Sequence, residues 1–136
     1  MINKIVFFPG KFHPPHLGHA KTILTLISQY KNVVVGVSGD TPSDKITDVD
    51  NIYNILTDLF SPFNSVVVVK ITGILVDKSD LTGLPVFDVL ASGNPKVLAW
   101  VEHMGLEGKY TERAEGYLFS GTEIRKELLD KEGYNI

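Results

Sequence analysis

Residues 4–27 read KIVFFPGKFHPPHLGHAKTILTLI, and the rest of the chain takes its place from this stretch. Residues 4–8 are a short apolar run bounded by Pro9-Gly10, the pattern of a buried strand. Leu17, Ala20, Leu24 and Ile27 then recur at helical spacing, which predicts an amphipathic helix starting near Pro15-His16. Pro15 is tolerated at a first helical position, because its missing N–H had no helical partner to lose. Between strand and helix lie a lysine, Lys11, and the histidines His13 and His16, with His19 following in the first turn. A strand passing through a tight turn into a helix N-terminus is an arrangement that holds phosphate. The unpaired N–H groups of the first turn and the helix dipole both face an anion placed there. His16 and His19, three apart, are neighbours on one face, and Gly18 between them lets a ribose or phosphate approach the backbone.

Composition narrows the possibilities. The chain has 136 residues, 43% hydrophobic and 21% charged, which suits a single compact domain over residues 1–136. A net charge of −3 implies no broad basic surface, so nucleic acid is not expected as a partner. The absence of cysteine excludes a disulfide scaffold and cysteine-ligated zinc. No apolar run approaches the roughly 18–20 residues needed to span a bilayer, and the first residues carry no signal-peptide pattern. The expectation is a cytoplasmic protein without a membrane partner.

Along the chain, residues 32–38 (NVVVGVS) predict a second buried strand, followed by a polar loop over 39–45. Asp48 or Asp50 caps a helix running to about Phe60, with Ile52, Ile55, Leu56 and Leu59 expected inward. Residues 66–71 are a β-branched run interrupted only by Lys70, a third strand. Residues 85–91 (PVFDVLA) predict a fourth strand, ending in Ser92-Gly93-Asn94-Pro95, and residues 96–104 a third helix. Residues 117–119 predict a short fifth strand, and Ser120-Gly121-Thr122 leads into a last helix. Strands alternating with helices predict an α/β protein with a doubly wound, five-stranded parallel sheet of Rossmann-like type. Ligands of such sheets sit at the carboxyl ends of the strands, where strand order reverses. The loops 10–16, 39–45, 92–95 and 120–122 should therefore share one edge.

Residues 119–125, FSGTEIR, repeat the phosphate-binding logic at another helix. Ser120 with Glu123 three residues on fits a capping box, and Arg125 projects from the first turn with a fork suited to phosphate. Alone this reads equally well as an ordinary capped helix. Asn94 either holds a base or ribose or simply turns the chain. Trp100, Tyr110 and Tyr117 either stack on a base or belong to the core. Lys45 reads as a solvated loop lysine within reach of an acceptor, and His103 as a surface residue. A transition-metal site built from His13, His16 and His19 is disfavoured by the two intervening prolines and the lack of a fixed carboxylate partner.

The segment G-K-F-H-P-P-H-L-G-H resembles the H-x-G-H signature of the nucleotidyltransferase superfamily, and Ser-Gly-Thr-Glu-Ile-Arg resembles its S-x-T-x-I-R element. With Ser92-Gly93-Asn94-Pro95, the pattern is most similar to archaeal-type nicotinamide-mononucleotide adenylyltransferases. The resemblance implies transfer of AMP from ATP to nicotinamide mononucleotide with release of pyrophosphate. His16, His19, Lys11 and Arg125 would act on the phosphates. Gly10, Phe12, Gly18, Ser92, Gly93, Asn94, Ser120, Gly121 and Thr122 would surround the nucleotide. Mg²⁺ would bridge phosphates without a protein carboxylate cage, and relatives of this type assemble as homo-oligomers. Two departures bear on the acceptor: Lys11 and His13 stand where the pattern has arginine and glutamine, and the second helix lacks an expected arginine. The chain also ends soon after the last helix. Phosphopantetheine adenylyl transfer and cytidylyl transfer are the alternatives within the class, and a catalytically weak nucleotide sensor the alternative outside it.

Overall fold

The computed structural model describes residues 1–10, 12, 17–38 and 49–112. Strand β1 (Ile2–Gly10) leads to helix α1 (Leu17–Gln29), β2 (Tyr30–Ser38), α2 (Val49–Phe60) and β3 (Val66–Ile71). A single 3₁₀ turn at Leu75–Asp77 precedes β4 (Val89–Ser92), α3 (Pro95–His103) and β5 (Glu107–Tyr110). The five strands form one parallel sheet in the order β3-β2-β1-β4-β5. Among the described residues no helix is long and apolar enough to cross a membrane.

Both faces of the sheet are covered, as its apolar central strands demand. On one face Val6, Phe8, Val33, Val35 and Val37 pack beneath Ile23 and Leu26 of α1 and Ile52, Leu56 and Phe60 of α2. On the other, Phe7 and Leu90 pack with Trp100 and Val101 of α3, together with Ile71, Leu75 and Phe87. The helices therefore divide as strand order does. Connections outward from β1 through β2 to β3 carry α1 and α2 on one side. The return from β3 to β4 carries the 3₁₀ turn, and α3, which links β4 to β5, lies on the other side, as right-handed crossovers require.

Three expectations are corrected in detail. Leu24 was expected inward with Leu17, Ala20 and Ile27, but it is 46% exposed, while Ile23 and Leu26 are fully buried. The apolar residues of α1 span more than one face, and the sheet takes the arc centred on Ile23, Leu26 and Ile27. In α2 the buried line is Ile52, Leu56 and Phe60, strictly four apart, whereas Ile55 and Leu59 stand about half exposed. The fourth strand starts at Val89 rather than Pro85, because Val86 points to solvent and pairing begins only where Asp88 meets β1. There the Asp88 N–H donates to the Ile5 carbonyl at 2.9 Å, and the Ile5 N–H donates to the Asp88 carboxylate at 2.9 Å. The fifth strand of the sheet is residues Glu107–Tyr110, which the sequence reading passed over. The strand expected at 117–119 and the helix after it lie outside the described residues.

Two further contacts tie the elements. The Trp100 indole N–H donates to the Lys78 carbonyl at 2.9 Å, fastening α3 to the segment that follows the 3₁₀ turn. Lys70 of β3 lies 2.6 Å from the Asp50 carboxylate and 5.0 Å from the Tyr53 ring centre, holding the first turn of α2 over the sheet edge.

Gly36 of β2 sits against Phe7 of β1. A Cβ there would lie 2.5 Å from one ring carbon of Phe7 and 2.8 Å from another. The ring is fully buried and rests on Phe87 at 5.0 Å between centroids, so it has no free direction in which to retreat. Gly36→Ala is therefore expected to lower stability by about 1–3 kcal/mol, the range for overpacking a core. Urea unfolding measures it, and Phe7→Leu in the same chain should restore part of the loss. An unchanged midpoint would show that the sheet accommodates the methyl group without displacing Phe7.

Candidate active site

The site is set by β1, whose two edges pair with β2 and with β4. Helices leave those two neighbours' connections on opposite faces, so a crevice opens beyond the carboxyl ends of β1 and β4. Val6 pairs with Val89 and Phe7 with Leu90, so Ser92 comes level with Pro9 at that edge. The turn after β1 and the turn after β4 thus flank one crevice.

On the β1 side, the described residues are Gly10, Phe12, Gly18 and His19. Phe12 has φ of 51°, the one non-glycine among the described residues in the left-handed region. Its ring is 3% exposed. It lies against Gly10, where an added Cβ would stand 3.1 Å from the ring, and 5.6 Å from the Phe8 ring centre. The ring also meets the His19 imidazole at 4.8 Å between centroids, nearly perpendicular at 80°. His19 is half-buried in the first turn of α1. Gly18 is buried, and its carbonyl accepts from the Thr22 hydroxyl at 3.0 Å, so this turn is bonded to the next through a side chain as well. The Phe12 side chain is thus committed to packing.

On the β4 side, Ser92 is buried and its hydroxyl accepts from the Asn94 N–H at 3.1 Å. Asn94 is the N-cap of α3, its side-chain oxygen accepting from the Lys96 N–H at 3.0 Å, with Pro95 in the first turn. The Ser92 carbonyl accepts from the Thr111 N–H at 3.0 Å, extending the pairing of β4 with β5. Of the two readings open for Asn94, the structure shows the capping role; Gly93 passes between the two bonded residues.

The remaining candidates separate by position. Trp100 is a core residue with its N–H already bonded, so it does not stack on a base. Tyr110 pairs in register with Ser92 and is 60% exposed at the crevice edge of β5. His103 is exposed in the last turn of α3, at the end of that helix remote from the crevice. Lys11, His13, His16, Lys45, Tyr117, Ser120, Gly121, Thr122 and Arg125 lie outside the described residues. Sequence reasoning found His19 and Gly18 from their motif, but nothing in the order of residues signalled the left-handed backbone and buried ring at Phe12. A phenylalanine between a lysine and a histidine reads as an ordinary loop residue.

Comparison with known proteins follows the same outline. Residues 7–127 match the family described as cytidylyltransferase-like. The nicotinamide-nucleotide adenylyltransferase of Sulfurisphaera tokodaii is 30% identical, over 90% of this chain and 78% of that protein. A phosphopantetheine adenylyltransferase of Oleidesulfovibrio alaskensis is 30% identical over 59% of this chain and 47% of its own length. A bifunctional NMN adenylyltransferase/ADP ribose pyrophosphatase from Francisella tularensis superposes with a TM-score of 0.71 at 14% identity. That match covers 96% of this chain and 43% of the other, and at such identity what is shared is the fold. A second structure of the Francisella enzyme was solved with AMP and a manganese ion.

The cap is directly testable. Asn94→Ala should cost about 1 kcal/mol of stability in thermal or denaturant unfolding, and Asn94→Asp should retain most of it, since aspartate caps equally well. Equal losses from both substitutions would mean that the side-chain oxygen is not the group that matters.

Proposed function

The chain belongs to the cytidylyltransferase-like family, and from that premise we propose that it is a nucleotidyltransferase that moves AMP from ATP to nicotinamide mononucleotide and releases pyrophosphate. The observation that carries this reading is the position of the H-x-G-H turn. Its Leu17, Gly18 and His19 begin α1, the helix that follows the central strand β1 where strand order reverses, in a chain that aligns with a nicotinamide-nucleotide adenylyltransferase over 90% of its length.

The chemistry asks little of the protein in proton transfer. A phosphate oxygen of the acceptor attacks the α-phosphorus of ATP. A new P–O bond forms there as the bond to the α–β bridging oxygen breaks, and the electron pair departs with pyrophosphate. An acceptor phosphate is largely ionised at neutral pH, so no strong general base is needed. The task is to align the groups and to stabilise charge as it shifts toward the leaving group. His19, held half-buried at the start of α1, would donate to a phosphate oxygen, and His16 of the same motif would do likewise. The first N–H groups of α1 add their own positive field. Lys11 would neutralise the triphosphate from the turn after β1, and Arg125 with Ser120, Gly121 and Thr122 from the later motif. Gly10, Gly18 and Gly93 would let the nucleotide lie close to backbone on both sides of the crevice.

Mg²⁺ supplies positive charge across the phosphates when bound. Among the described residues no group of three or more histidine, aspartate or glutamate side chains is placed to hold a metal. That donor set suits a cation carried chiefly by phosphate oxygens and water, a coordination Mg²⁺ favours. A second reading, transfer of AMP to a phosphopantetheine acceptor, is supported by the Oleidesulfovibrio relative. Both readings keep the same phosphate machinery and differ only in the acceptor.

Pyrophosphate release from ATP or CTP with nicotinamide mononucleotide, phosphopantetheine or a phosphorylated alcohol decides among them. The expected result is release with ATP and nicotinamide mononucleotide. Silence from every pair, with nucleotide still bound, would make the domain a sensor instead. In the active pair, His19→Ala and His16→Ala should each lower turnover by on the order of 10²-fold or more, as loss of a transition-state donor does. Loss of His19 gives up its ring pair with Phe12, worth about 0.5–1.5 kcal/mol, which unfolding of the variant measures separately from turnover. Near-native turnover in either variant removes that histidine from the mechanism.

A further inference from the structure

We infer that Phe12 is a positioning residue for His19: its buried ring clamps the imidazole, and its left-handed backbone is the conformation that brings the ring there. The inference rests on the adenylyl-transfer reading of His19 and deepens it.

Phe12 combines two features that ordinarily exclude each other. A bulky side chain at φ of 51° is a steric outlier, disfavoured against an extended conformation. Such a conformation persists only where the surroundings over-determine it. Here they do, because the ring is 3% exposed although its residue lies between a strand and a helix rather than within either. It packs against Gly10, where even a methyl group would crowd it at 3.1 Å. Its ring meets Phe8 at 5.6 Å between centroids and 65°, and His19 at 4.8 Å and 80°.

Gly10 ends β1 and His19 lies in the first turn of α1, so one ring spans the last residue of the strand and the imidazole. The near-perpendicular arrangement is the favoured geometry of an aromatic pair, edge against face. Rotation of the imidazole away from this geometry gives up that contact. Since β1 is fixed in the centre of the sheet, the imidazole takes its direction from the sheet rather than from the intervening turn alone. A donor held in this way needs no rearrangement as charge develops on a phosphate. The serine hydroxyl and asparagine cap across the crevice hold only backbone, so the clamp belongs to the β1 side of the site.

The test is Phe12→Leu, which keeps an apolar side chain of comparable bulk but removes the flat ring; Phe12→Met serves in its place should the leucine variant fail to fold. With the active substrate pair, kcat should fall about tenfold to a hundredfold, the size expected when a catalytic group is slightly misplaced. The KM for ATP should change less than twofold. In a His19→Ala background the same substitution should have almost no further effect on kcat, because the group it orients is gone. The His19 ring proton resonances of the ligand-free protein should also shift and broaden in Phe12→Leu, while those of the remote His103 stay in place. Independent, multiplicative losses in the double variant, or unmoved His19 resonances, would overturn the proposal. Full activity of His19→Ala itself would instead overturn the role given to that histidine, while the resonances would still report on the clamp.

Discussion

The constraint on which this structure depends is that β1 is hydrogen-bonded along both edges, to β2 and to β4, in parallel register. A strand so placed has no free edge, and where helices cover both faces β1 alternates its burial: Val6 and Phe8 face α1 and α2, and Phe7 faces α3. The second demand is space. Phe7 is accommodated only because β2 carries a glycine, Gly36, directly against its ring. A side chain there would push β2 and β1 apart, and the loops beyond their carboxyl ends would move with them. The core contact and the site geometry are therefore parts of one arrangement.

The pairing also creates the site. Chain connections from β1 run outward to β2 and β3 in one direction, and β4 and β5 extend the sheet in the other. The carboxyl ends of β1 and β4 consequently stand at the point where strand order reverses, the place where sheets of this kind bind ligands. One wall carries His19 and the start of α1. The other carries the Ser92–Asn94 bond and the start of α3. Two helices thus begin at one edge of the sheet, and their dipoles add positive potential there, although at α3 the Asn94 N–H and Lys96 N–H are already taken by Ser92 and by the Asn94 cap.

How much of this was legible in the sequence depended on how strongly one physical term dominated. Residues 66–71 were read with the boundaries the structure gives, because a β-branched run bounded by turn residues has few alternatives. The parallel, doubly wound class followed from alternation alone, and the family comparison agrees with it. Helix phase was less legible. In α1 and α2 apolar residues outnumber inward positions, and which arc faces the sheet is decided by tertiary packing; hence Leu24, Ile55 and Leu59 lie outside. β5 was passed over because Glu107-Gly108-Lys109-Tyr110 has no apolar run or alternation at all. It is a strand because Val89 to Ser92 offers it a hydrogen-bonding edge, and because Gly108 sits close beneath Leu98 and Val101. In the site, Asn94 was ambiguous since the same amide that binds a ligand also caps a helix, and only coordinates separate the two.

Phe12 marks where sequence reasoning runs out for a physical reason rather than for want of pattern. Motifs report which groups are present near a phosphate; they do not report what holds those groups still. An imidazole on a surface turn has several rotamers, and selecting one costs entropy at the moment of reaction unless folding has already selected it. Here the selection is made by a backbone conformation that local sterics disfavour, balanced by burial of a whole aromatic ring against Gly10 and Phe8. The local and global preferences disagree at Phe12, and they disagree beside His19, the histidine for which a role in the reaction is proposed. In a fold otherwise assembled from mutually consistent strands and helices, that is the expected place for a sacrifice of stability to order.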